Sequence, residues 1–228
     1  KQLTRELNIT RKLKHPNIIN LLDIVFDDIR AMLVMEMADG GMLFDLVSSG
    51  TPLPEDRVRH LFKQMVSAMS YCHDKQIYHR DLKLENVLLD GEGYVRVTDF
   101  NVAKVMEERR TYSMKGTLFC MAPEVILKKG HDASADFWSF GVLIYELLTF
   151  ETPFEDESQQ RTFEKIVRSS AHLTFPVGFD ADAKTLVRDL MNPNANMRLG
   201  SLRRGVDDIR DHPWFRKARF DWKMLARR

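Results

Sequence analysis

Nine consecutive residues, Tyr78-His79-Arg80-Asp81-Leu82-Lys83-Leu84-Glu85-Asn86, gather an imidazole, a guanidinium, an ammonium, an amide and two carboxylates. Asp99-Phe100-Asn101 begins 18 residues after Asp81, and Ala122-Pro123-Glu124 begins 23 residues after Asp99. A carboxylate and an amide oxygen, held on two loops joined by a short hairpin, can share one hard divalent cation. Either tripeptide alone reads as a solvated turn; the ordered set does not. Softer ligand chemistry has no such support. Cys72 and Cys120 lie 48 positions apart without a CxxC or Cys/His pattern, and His60, His73, His131 and His172 lack HExxH or other ligand spacing, which assigns them to helix surfaces and loops.

His79 to Asn86 matches the pattern HRDxKxxN, and the three islands in this order and spacing resemble the catalytic core of a eukaryotic Ser/Thr protein kinase. The resemblance implies transfer of the ATP γ-phosphate to a protein hydroxyl, a reaction catalysed by positioning and charge neutralisation rather than covalent work. It gives Asp81 the proton of the acceptor hydroxyl, Lys83 the migrating phosphoryl group, and Asn86 with Asp99 the Mg²⁺ ion. His79 is expected to pack beneath the loop. Glu6 falls where the family's αC glutamate falls, Met35 at the gatekeeper, and Glu36 to Ala38 at the hinge that holds adenine through backbone groups. Arg110 to Thr117 is similar to the activation loop of the cyclic-AMP-dependent group. That likeness makes Ser113 a candidate phosphosite for an upstream activating kinase, with Arg80 meeting the phosphate, and makes Thr117 the partner of Asp81. Asp136 is expected to anchor the catalytic loop and Arg198 to pair with Glu124, while HRDLKLEN is closer to the calmodulin-dependent group. Glu85 and Glu164 fall where the family favours basic residues upstream of the acceptor, and Glu85 also borders the nucleotide.

The chain departs from the family pattern in three places. No glycine precedes Gly40 and only five residues precede Glu6, so the Gly-rich loop and the strand lysine have no match. The resemblance therefore implies an N-terminally truncated piece that binds ATP poorly and transfers phosphate slowly or not at all. A catalytically impaired, pseudokinase-like binding scaffold is the alternative. Asn101 replaces the usual glycine; after glycine, Asn visits left-handed geometry most readily, so a slower flipping of Phe100 is expected. Met42 stands where related kinases carry a glutamate that touches the ribose and an upstream arginine.

The elements that must position these residues follow from periodicity. Leu3, Leu7 and Leu13 among charged residues predict a helix over 2–13, stopped by Pro16. Leu21–Phe26 and Ala31–Met37 predict two strands. From Pro54, apolar residues at Val58, Leu61, Phe62, Met65, Val66, Met69 and Cys72 predict a long helix with Pro in its first turn. Val87–Leu89 and Tyr94–Thr98 predict a hairpin, and helices follow near 134–149, 158–168, 181–191 and 205–211. The run Phe137–Leu148 is too short for a membrane span and reads as a buried helix. The fold class is α+β with a helical majority, protein-kinase-like: residues 1–37 form an N-lobe remnant (αC and two strands) and the start of the hinge, and 38–228 form the C-lobe. With 34 Lys+Arg against 33 Asp+Glu among 228 residues, no global field favours nucleic acid or a membrane surface. Two cysteines without a disulfide framework point to an intracellular setting, cytoplasmic first and nuclear as the alternative.

Overall fold

A computed structural model describes residues 7–27, 30–50, 53–105 and 110–217. Glu6 lies outside them. Strands β1 (Leu21–Phe26) and β2 (Ala31–Met35) pair antiparallel, with an irregularity between Leu21 and Asp23. β2 stops two residues short of the expectation; the Glu36 N–H still bonds Asn20 O at 2.9 Å, and Met37 beyond it is 84% exposed. Upstream, residues 7–10 are helical and turn out well before Pro16, with Ile9 and Leu13 buried.

The helical part is built on two helices. α1 (Leu43–Ser48) leads into α2 (Glu55–Asp74), where Pro54 is the capping residue rather than part of the first turn. Glu55 and Asp56 complement the positive end of the α2 dipole. All seven apolar positions anticipated for α2 are buried. After the short α3 (Pro123–Ile126), α4 (Ser134–Thr149) buries residues on every side, the mark of a central helix. α5 (Gln159–Val167), α6 (Ser169–His172), α7 (Ala181–Leu190), α8 (Val206–Arg210) and α9 (Pro213–Arg216) complete the order. α7 starts where the Asp180 carboxylate accepts from Asp182 N and Ala183 N at 3.0 and 2.9 Å, and its Leu186, Val187 and Leu190 pack on α4. Gly141 permits that approach: a Cβ there would lie 2.5 Å from Met191 Cγ. Met65, Met69 and Met191 are core residues, as their apolar positions suggest.

Two small ladders frame the loops that carry the chemistry. β3 (Ile77–Tyr78) pairs antiparallel with β6 (Lys104–Val105), and β4 (Val87–Leu89) with β5 (Val95–Val97). No helix among the described residues is long and apolar enough to cross a membrane. The arrangement is an α+β, kinase-like fold with a small two-stranded part and a helical majority.

Candidate active site

The catalytic-loop residues leave β3 through a strained turn that one buried carboxylate holds. Asp136, 1% exposed at the first turn of α4, accepts from His79 N at 3.1 Å, Arg80 N at 2.8 Å and His73 Nε2 at 2.8 Å. Arg80 is thereby kept at φ 69°, a left-handed conformation costly for a side chain of this size. Burial alone would raise the Asp136 carboxyl; the hydrogen bond and charge of His73, with His79 and the Arg80 N–H, outweigh it and hold the group below the usual range. His73 is therefore a loop-anchoring side chain, not the surface residue its sequence spacing suggests. His131 is also buried, with its backbone paired to Thr111 in both directions at 2.9 Å.

Beyond the turn, His79 is fully buried and its Nε2 lies 2.9 Å from Thr98 O, with its ring 4.8 Å from that of Phe100. The imidazole thus joins the two loops from beneath. Asp81 Oδ1 accepts from both Thr117 N and Thr117 Oγ1, at 2.7 and 2.8 Å. Its other oxygen lies 3.9 Å from Lys83 Nζ and 3.4 Å from Asn86 Nδ2, which also donates to Asp81 O at 2.9 Å. With Nδ2 committed to these acceptors, Oδ1 is the amide atom that they do not use. The Thr98 N–H bonds Asn86 O at 3.0 Å, so the residue preceding Asp99 is tied directly to the amide residue.

Asp99, Phe100 and Met35 line a cleft of about 160 Å³ together with Thr10, Ile19 and Leu33. In this stretch the left-handed residue is Asp99, at φ 62°, and Asn101 is not left-handed; the expected reason for glycine at position 101 does not apply here. The Asn101 N–H instead caps the Asp99 carboxylate at 3.3 Å. At the hinge, the Glu36 carboxylate turns away from the cleft, to Asn20 Nδ2 at 2.9 Å and Arg96 Nη2 at 3.4 Å.

Glu85 is exposed, and its influence falls on Glu146 of α4. Burial first, then the Glu85 and Glu155 charges, push the Glu146 carboxyl up to about 7. Glu146 escaped sequence reasoning because it sits inside the most apolar run of the chain. Glu164 is exposed on α5 and accepts weakly from Gln160 Nε2 at 3.4 Å.

The segment after Asp99 is tied down at three points. Arg80 Nη1 donates to Ser113 Oγ at 2.7 Å, and Lys104 Nζ to Thr111 Oγ1 at 3.3 Å. Gly116, at φ 115°, lets the chain pass against Arg80 O, where any Cβ would collide. Further on, Ser139 Oγ donates to Cys120 O at 2.9 Å, and Glu124 receives both Arg198 terminal nitrogens at 2.7 and 2.9 Å. That bidentate pair is buried, with Arg198 also donating to Ser134 O and Asn192 O.

Comparison with known proteins agrees with this geometry. The chain is 39% identical over 213 residues to the cAMP-dependent protein kinase type 3 of Saccharomyces cerevisiae, covering 93% of this chain and 52% of the relative. It is 37% identical over 222 residues to CBL-interacting protein kinase 31 of Oryza sativa subsp. japonica, covering 95% and 48%. The cAMP-dependent protein kinase catalytic subunit of Dictyostelium discoideum is 35% identical over 226 residues, covering 99% and 34%. The chain thus spans about half or less of the length of these curated relatives. Residues 1–215 match the protein kinase domain, so the fold, the loop carrying Asp81 and the buried Glu124–Arg198 pair all belong to a member of the protein kinase family.

Proposed function

We propose that this chain carries the catalytic machinery of a Ser/Thr protein kinase, transferring the ATP γ-phosphate to protein hydroxyls. The observation that carries the reading is the joint seating of Asp81, Asn86 and Asp99: the Asn86 amide donates to Asp81, and the N–H of Thr98, one residue before Asp99, bonds Asn86 O. The donor set suits Mg²⁺, which binds through one or two protein oxygens and otherwise through phosphates and water. Asn86 Oδ1 and the Asp99 carboxylate would hold it. When bound, Mg²⁺-ATP supplies the phosphoryl group and neutralises charge on its oxygens. Thr117 fixes one oxygen of Asp81, leaving the other to accept the acceptor hydroxyl's proton, and Lys83 faces the developing negative charge. Glu36 and Ala38 offer backbone groups to adenine, with Met35 at the back of the cleft, and the division at residue 37 marks the hinge.

Ser113 is the proposed phosphosite. A phosphate there would turn the bond from the Arg80 guanidinium to a neutral hydroxyl into an ion pair, with Lys104 one threonine away. Glu85, Glu146 and Glu164 support a preference for basic residues upstream of the acceptor. Because no glycine precedes Gly40, this stretch alone is expected to transfer phosphate slowly. The test is transfer of labelled phosphate to a serine peptide by the full-length polypeptide. Asp81→Asn and Asp99→Ala should each lower the rate about 10³-fold with unfolding temperature little changed, and Ser113→Ala should lower it less. Near-native turnover by Asp99→Ala would refute its metal role, and no transfer by the native full-length polypeptide would leave the scaffold reading standing.

A further inference from the structure

The strap from Thr111 to Lys115 is clipped to the loop between α3 and α4, and the clip is built around a histidine. The Thr111 N–H bonds His131 O and the His131 N–H bonds Thr111 O, both at 2.9 Å. The two residues form an isolated antiparallel bridge, and both are buried. Gly130, at φ 80°, lets Tyr112 lie across the loop: a Cβ there would come 2.9 Å from Tyr112 Cε1. Through Thr111 the clip reaches further. Lys104 Nζ donates to Thr111 Oγ1, which lies 3.4 Å from Ser113 Oγ, the acceptor of Arg80 Nη1.

The imidazole of His131 sits where a cation has no place. Its Nδ1 is buried and has no hydrogen-bond partner among the described residues. Each neighbouring carboxylate already serves another group. Asp132, from the same loop, accepts from Ser134 N at 2.9 Å; Glu124 of α3 binds Arg198; Asp136 of α4 takes His73 and the Arg80 N–H. From the catalytic loop, Arg80 adds a like charge. Burial first, then Arg80, lower the imidazole below its ordinary value of 6.5, against the pull of Glu124, Asp136 and Asp132. Protonation makes both ring nitrogens donors, so the closed clip would then hold a buried Nδ1–H without an acceptor.

We propose that His131 is an acid-sensitive latch: the neutral ring permits the clip to Thr111, and the protonated ring opens it, releasing the strap and drawing Ser113 away from Arg80. The sign follows from linkage. A lowered imidazole leaves the clip at full strength above 6.5, and opening, which takes up a proton, becomes easier as pH falls below that value. Asp136 is held below the usual carboxylate range, so the catalytic loop keeps its anchor while the strap loosens. An effect of opening on phosphoryl transfer rests on the kinase reading; the opening itself does not.

Amide hydrogen exchange in the full-length chain, resolved by NMR and corrected for intrinsic rates, tests the latch directly. Protection of the Thr111 and His131 amides should fall about three- to tenfold between about pH 7.5 and 5.5. In His131→Phe and in His131→Gln, which cannot titrate, that fall should vanish. Equal protection of the native chain at both pH values, or the same fall in a folded variant, would overturn the proposal. The imidazole resonances of His131 in the native chain supply a reading that needs no variant: titration below 6.5 is expected, and titration at or above it would equally defeat the latch.

Discussion

At Asp136 and Glu146, ten residues apart on one helix, burial acts in the same direction on both carboxyls and the outcomes are opposite. Asp136 receives three donors and stays ionised; Glu146 receives the charges of Glu85 and Glu155 and is pushed up to about 7. The signs follow by linkage. A depressed carboxyl stabilises the fold above its unfolded value and loses that contribution as pH falls through the folded one; a raised carboxyl stabilises below its unfolded value, about 4.5, and loses that contribution as pH rises through about 7. Asp136→Asn should therefore cost about 3 kcal/mol in urea unfolding at neutral pH, with the difference from the native chain shrinking in acid. Glu146→Gln should raise stability at about pH 8 and change little near pH 4; an equal effect at both would show that the carboxyl is not perturbed.

Among the elements, a buried ion pair links α3 to the turn before Leu199. Arg198 alone satisfies Glu124 with two bonds, so removing either partner leaves a charge stranded in the core. Arg198→Met should cost about 3–5 kcal/mol, whereas Glu124→Leu with Arg198→Met should recover most of it in a double-mutant cycle. If the double variant is as unstable as the single one, the pair is valued for its other bonds, to Ser134 O and Asn192 O. Sequence periodicity identifies the long elements well. α2 and α4 each carry an apolar pattern over many turns, and β1, β4 and β5 fall within a residue or so of expectation. α1, the β3–β6 pair, α3, α6 and α9 are two to six residues long, shorter than any period can announce, and depend on contacts with distant residues. The same limit hid His73, whose partner Asp136 is 63 residues away, whereas Asp81 and Asn86, five residues apart, touch within one local motif.

Over the whole molecule, the chain is closed by a contact spanning 159 residues. Trp214 Nε1 donates to Glu55 Oε1 at 2.7 Å, and Arg59, itself paired to Glu55 at 2.6 Å, lies 5.0 Å over the indole. The last described helix is thereby fastened to the start of α2, and through α2 to the base of the catalytic loop. Trp214→Phe keeps an aromatic face but removes the donor and leaves a cavity in a fully buried position, and should lower stability by about 2 kcal/mol or more in thermal or urea unfolding while leaving the site geometry unchanged. A change in nucleotide affinity of the same size would mean that this end of the molecule is coupled to the cleft.

Trp138 lies under a guanidinium in the same way, 5.3 Å from that of Arg198 and stacked on Phe154. Each of the two indoles is thus a natural lamp beside a different ion pair. Emission from Trp138, isolated by replacing the other tryptophans with Phe, should shift and brighten when Glu124 and Arg198 part, while Trp214 should answer only to Glu55 and Arg59. Unfolding watched by its own light could then tell whether the segment leading to Glu124 loosens before the chain's far end does, with no dye attached.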